Sequence, residues 1–172
     1  SLGSLIKCNP SIKSSIDKQA LRQALKDQTI DYVATDHAPH ILKEKKNTYS
    51  TAPSGMPSVQ HSLLVVLEMV HEGDLELVEV PRITSHSVAK RFDIKERGFI
   101  REGFWADLVL VNMNDNYEVK KEKIFYKCGW SPFESYTFKS RIIETIVNGE
   151  RIYSQGKILS DTIGKKLEFT RG

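Results

Sequence analysis

Asp36-His37-Ala38-Pro39-His40 places a carboxylate and two imidazoles within five residues. They follow Thr29-Ile30-Asp31-Tyr32-Val33-Ala34-Thr35, an apolar run with the length and composition of a buried strand. In parallel α/β barrels, catalytic groups collect where such strands end. A carboxylate at that point can bind a metal ion and take a proton from a bound water. Spacing alone leaves a second reading open, in which Asp36 caps the following turn and the two histidines are surface loop residues.

The elements that must position this segment are legible on either side. Residues 14–27 read as a helix, with Ile16, Ala20, Leu21, Ala24 and Leu25 on one stripe. Ser14 followed by Asp17 resembles a capping box. A helix leading closely into a buried strand is the rhythm of a parallel α/β fold. Residues 36–58 form a polar loop of a length that is functional or disordered in compact domains. Pro57 opens a second helix reaching about residue 71, with Val59, Leu63, Val66, Leu67 and Val70 facing inward. A third helix covers 83–91. Beyond residue 93 the pattern changes to strands at 106–111, 142–147 and 151–153. Asn148-Gly149 joins the last two as a type I′ hairpin signal, and Gly156 ends the hairpin. The chain therefore divides into an α/β part, residues 1–95, and a β-rich part, residues 96–172.

The chain of 172 residues is long enough to bury a substantial core. Its 25 basic and 22 acidic residues leave a net charge of only +3. The densest basic clusters, Lys43, Lys45 and Lys46, then Lys120, Lys121 and Lys123, are interleaved with Glu and read as solvated faces, so no nucleic-acid partner is expected. The apolar stretch 62–70 is interrupted by Glu68 and is too short for a membrane span, and no signal segment opens the chain. Cys8 and Cys128 lie far apart without a CxxC pair, which points to a reduced, cytoplasmic protein.

Asp36-His37-Ala38-Pro39-His40 after its Ile-Asp-Tyr-Val-Ala-Thr run resembles the end of the dihydroorotases, a family of the amidohydrolase superfamily. Lys7-Cys8-Asn9-Pro10-Ser11-Ile12-Lys13 is similar to that family's Asn-Pro-Pro-Leu-Arg substrate loop. Ala52-Pro53-Ser54-Gly55-Met56-Pro57 resembles the glycine-containing loop that closes on the substrate. Residues 98–109, from Gly98-Phe99-Ile100 to Ala106-Asp107-Leu108-Val109, resemble the entry to the small β domain beside the barrel, and Val147-Asn148-Gly149 its last hairpin. These segments fall in the family's order along nearly the whole chain.

The resemblance implies an α/β fold: the C-terminal portion of a TIM-like (β/α)8 metal-dependent hydrolase barrel, residues 1–95, plus part of a small β-sandwich domain, residues 96–172. It implies reversible, zinc-dependent hydrolysis of the cyclic amide of dihydroorotate to N-carbamoyl-aspartate, in pyrimidine synthesis. Asp36 would bind the more buried zinc and act as general base, then general acid. Asn9 and His40 would hydrogen-bond the substrate, and the backbone of Ser54 and Gly55 would contact the ring amide, where glycine permits close approach. A homodimer or a complex with a carbamoyltransferase are the protein partners it implies. The near alternatives are a hydantoinase-like or allantoinase-like cyclic amidase, from which Ala38-Pro39-His40 discriminates, and a non-catalytic scaffold subunit.

Departures from the family pattern accompany these likenesses. Ser11-Ile12-Lys13 stands where the family has Pro-Leu-Arg, so the planar donor fork of an arginine is lost. Ser54 stands where many members of the family have an aromatic residue. The family's His-x-His pair, carboxylated lysine and two further zinc histidines have no counterpart: no two of His37, His40, His61, His71 and His86 are separated by one residue. Zinc needs three or four protein ligands, so this chain alone is expected to be inactive. His61, His71 and His86 read as structural, and Trp105, Trp130, Phe133 and Tyr136 as packing groups. Cys8 adjoins the substrate-like loop without an evident partner base.

Overall fold

In the computed structural model, which describes residues 2–160 and 164–170, Ser14 caps helix α1 (Ser15–Lys26). Its hydroxyl accepts from the Asp17 amide at 3.3 Å, and the Asp17 carboxylate accepts from the Ser14 amide at 3.0 Å. The Ser14 hydroxyl, donating to that carboxylate at 2.6 Å, and then the Ser14 amide hold the Asp17 carboxyl below its ordinary value. The expected inward stripe of α1 is only partly used. Leu25 enters the core, while Ile16 and Leu21 are exposed, because among the described residues nothing covers that side of the helix.

Residues 29–35 begin with a bend at Thr29 and Ile30 and form no ladder among the described residues. The expected strand lacks a neighbour of its own length, and a strand without one leaves its backbone groups unpaired. The contacts it does make are local anchors. The Val33 amide donates to the Ile83 carbonyl at 3.0 Å, and just beyond the run His37 bridges Met56 in parallel.

The loop after Asp36 contains a short helix, α2 (Leu42–Lys45). The second expected helix starts later than Pro57. A 3-10 turn, Val59–His61, leads into α3 (Ser62–His71). Leu64, Val66, Leu67 and Met69 of α3 are buried, and they meet Leu25, Leu75, Val80, Ile83, Val119 and Phe138 in one core. Val59 faces solvent instead, because the 3-10 turn rotates it away from the α3 stripe. The third expected helix winds first as a π turn, Arg82–His86, then as α4 (Ser87–Arg91).

The rest is antiparallel sheet. β1 (Leu108–Asn112), β4 (Arg141–Val147), β5 (Glu150–Ser154) and β6 (Lys157–Ile158) lie side by side in that order. β2 (Tyr117–Glu118) pairs with β3 (Thr137–Phe138). Asn148 and Gly149 have φ of 53° and 84°, the two positive values a type I′ turn requires. Gln155 and Gly156 repeat that pair at 49° and 84°, so Gly156 turns the chain into β6 rather than ending the hairpin. Asp107 fixes the Asn148 turn to the start of β1. It is ion-paired with Arg97 and accepts from the Asn148 amide at 2.8 Å. Among the described residues no helix is long and apolar enough to cross a membrane.

Candidate active site

The segment carrying Asp36 is anchored by its neighbours. Asp36 has φ of 44°, a left-handed conformation that aspartate tolerates better than most residues. Its side chain is exposed and takes part in no hydrogen bond or ion pair among the described residues. His37, unlike Asp36, is held by hydrogen bonds. Its Nδ1 accepts from the Ser58 amide at 3.0 Å and lies 3.4 Å from the Val59 amide, at the entry to α3. Its proton therefore sits on Nε2. The ring lies 5.3 Å from that of Tyr126. The Ser58 hydroxyl donates to the Thr35 carbonyl at 2.9 Å. Asp36 thus projects from a backbone clamped on both sides.

His40, Ser54 and Gly55 meet. His40 Nε2 donates to the Ser54 carbonyl at 3.0 Å, while its Nδ1 lies 3.6 Å from Glu44 Oε2. Gly55 has φ of 120°, and a Cβ there would fall 2.5 Å from the Ala38 carbonyl and 3.3 Å from His40 Nε2. Its amide donates to the Lys7 carbonyl at 2.9 Å, which brings the Asn9 loop to the same junction. Asn9 is exposed, makes no side-chain hydrogen bond among the described residues, and precedes a cis peptide to Pro10. The structure thus joins His40, Ser54 and Gly55 by contact. Asn9 reaches them through Lys7, and Asp36 through the backbone of Ala38, whose amide donates to the Met56 carbonyl at 3.3 Å.

Gly55→Ala adds a side chain against backbone in a conformation reserved for glycine. It is expected to lower the stability of the chain by about 1–3 kcal/mol. Gly103→Ala, at φ of 81° with nothing within 4 Å, keeps the backbone strain and lacks the clash. Thermal unfolding of the two variants isolates the clash, and equal melting temperatures would contradict it.

Several residues at this junction carry no sequence signal. Lys45 belongs to a basic cluster that reads as solvated, yet it is completely buried and that reading is corrected. Its ammonium donates to three backbone carbonyls, and a lysine that finds three acceptors can be buried. The Lys7 ammonium donates to the carbonyls of Tyr49 and Ala52, each at 2.7 Å. Trp130, 2% exposed, packs as expected and also donates its indole N–H to the His40 carbonyl at 2.8 Å. The Tyr126 hydroxyl accepts from the Gln60 amide at 2.8 Å, and burial pushes it up to about 12. These partners lie 90 and 66 residues away in the chain, beyond the reach of any local pattern.

The described residues do not form a zinc site. Among the described residues no three His, Cys, Asp or Glu side chains gather closely enough to hold a metal ion. Asp36 offers one unengaged carboxylate, and a zinc centre needs three or four protein ligands.

No family model matches the chain. A dihydroorotase from Endomicrobium trichonymphae is 38% identical over 148 residues, covering 86% of this chain and 35% of that protein. An allantoinase from Desulfitobacterium hafniense is 32% identical over 167 residues, covering 96% of this chain and 37% of the relative. The solved structure of L-hydantoinase (dihydropyrimidinase) from Arthrobacter aurescens superposes with a TM-score of 0.85 at 23% identity, over 92% of this chain and 36% of that one. That likeness concerns the fold. The chain spans about a third of the length of the curated relatives it matches. Sequence and fold together identify the chain as one part of a protein of the dihydroorotase family.

Proposed function

We propose that these residues form the C-terminal part of a dihydroorotase, and that the whole enzyme reversibly opens the cyclic amide of dihydroorotate to give N-carbamoyl-aspartate. The observation that carries this reading is the convergence of His40, Ser54 and Gly55 beside the Asp36 segment, with the Asn9 loop hydrogen-bonded to Gly55. Residues 1–95 then supply the last units of an α/β barrel and residues 96–172 part of a small β domain. The run 29–35, which has no ladder partner among the described residues, fits a strand that pairs with barrel strands outside this chain.

In this reading Asp36 takes a proton from the attacking water and returns it to the leaving ring nitrogen. Asn9 and His40 hydrogen-bond the substrate, and the Ser54–Gly55 backbone meets the ring amide. Zinc is the metal the family implies. Asp36 would be one of its ligands, and the others would come from outside these residues. Both cysteines are free, as a reduced cytoplasmic setting would have them.

His40→Ala tests the substrate contact in the complete enzyme. The KM for dihydroorotate should rise about tenfold or more, the equivalent of losing one strong polar contact, with a smaller change in kcat. An unchanged KM would remove His40 from the site. Faster turnover of allantoin or a hydantoin than of dihydroorotate by the unaltered enzyme would favour the allantoinase-like or hydantoinase-like alternative.

A further inference from the structure

We propose that Lys45 is a positioning residue that sets substrate affinity by locking two substrate-facing loops to one another. Its Nζ stands 3.1 Å from the Lys7 carbonyl, 2.8 Å from that of Pro53 and 2.8 Å from that of Gly55. An ammonium has three protons to donate, and here each has an acceptor. The Lys7 carbonyl belongs to the Asn9 loop, and the other two flank Ser54. Lys45 is therefore a single buried charge tying both loops at one point.

Further contacts fix the lysine itself. The Ser4 hydroxyl donates to the Lys45 carbonyl at 2.6 Å, and the first turn of α2 holds its backbone. The Lys7 carbonyl also accepts from the Gly55 amide at 2.9 Å, so the two loops share a bridged acceptor. Burial, and then the nearby Lys7 charge, push the Lys45 ammonium below its ordinary value. A charge kept out of water in this way needs polar partners to compensate it, and those partners are the loop carbonyls. Lys45 touches neither Asp36 nor the space beside it in any hydrogen bond. Its loss therefore bears on how the loops are held rather than on proton transfer.

The inference rests on the reading of this site as that of a cyclic amide hydrolase, and its test has two arms. The first arm measures amide hydrogen exchange at Gly55 in the complete enzyme, wild type against Lys45→Met. The Gly55 amide should exchange about tenfold faster or more in the variant, and by a larger factor than core amides such as that of Leu67. The second arm follows turnover by the same enzyme with dihydroorotate as probe. Lys45→Met should raise KM about tenfold or more and leave kcat within a factor of about three. Lys45→Arg keeps the charge but spreads its donors in a plane, so it should fall between the two. If Lys45→Met does not fold, Lys45→Arg against wild type is read by the same criteria.

Unchanged Gly55 exchange would overturn the loop lock. Faster exchange with an unchanged KM would overturn the claim on substrate affinity. If the wild-type enzyme does not hydrolyse dihydroorotate, the functional reading fails while the exchange arm still supports or overturns the lock.

Discussion

Asp36→Asn in the complete enzyme is expected to lower kcat for ring opening by about 10²–10⁴-fold while KM stays within a factor of about three. Asparagine has the same shape as aspartate and tolerates the left-handed backbone found at φ of 44°. The side chain is exposed and has no hydrogen-bond partner to lose among the described residues, so the fold should be undisturbed. What changes is that an amide cannot take a proton from water at neutral pH or hand one on. Steady-state kinetics beside a melting curve separates the two effects. A kcat within tenfold of wild type would reduce Asp36 to a turn residue.

The second large effect concerns pH. His61 is completely buried against Phe138, Phe133 and Tyr126, and that burial pushes its pKa down to about 4. Its Nδ1 lies 3.4 Å from both the Tyr126 hydroxyl and Ser131 Oγ, while its Nε2 is buried without a partner among the described residues. The folded state thus holds the ring neutral where the unfolded chain titrates near the ordinary 6.5. Below 6.5 the unfolded state gains a proton that the folded state refuses. Stability is therefore fully present above pH 6.5 and falls as the pH drops toward 4, by about 3 kcal/mol over that range. His61→Phe keeps an aromatic ring in the cluster and cannot titrate. Chemical denaturation at pH 7 and pH 4.5 should show a smaller loss of stability in this variant than in wild type. The same loss in both proteins would exclude His61 as the cause.

Local chemistry made part of this structure legible in the sequence. Ser14 and Asp17 form the capping box their spacing announces, and Asn148-Gly149 makes the turn that only positive φ allows. His40 lies in one motif and Ser54 and Gly55 in another, and the structure brings the two into contact. What failed is what depends on distant partners. The run 29–35 has strand composition, but a strand is a property of a pair, and no strand lies beside it among the described residues. Ile16 and Leu21 have helical spacing, yet among the described residues no element covers them. Lys45 was hidden by its neighbours. In a run of three lysines over four positions, nothing local tells which one finds three carbonyls. His61 read as structural and packs as such, but the sequence does not disclose that its Nε2 would be left without a partner.

The most direct measurement is hydrolysis of dihydroorotate, allantoin and hydantoin by the complete zinc-loaded enzyme that carries these residues, with kcat/KM compared across the three. The account predicts that dihydroorotate exceeds both others by about 100-fold or more, as a site built to pair a substrate's polar groups discriminates against analogues that leave them unpaired. A preference for allantoin or hydantoin would contradict it, as would no turnover of any of the three.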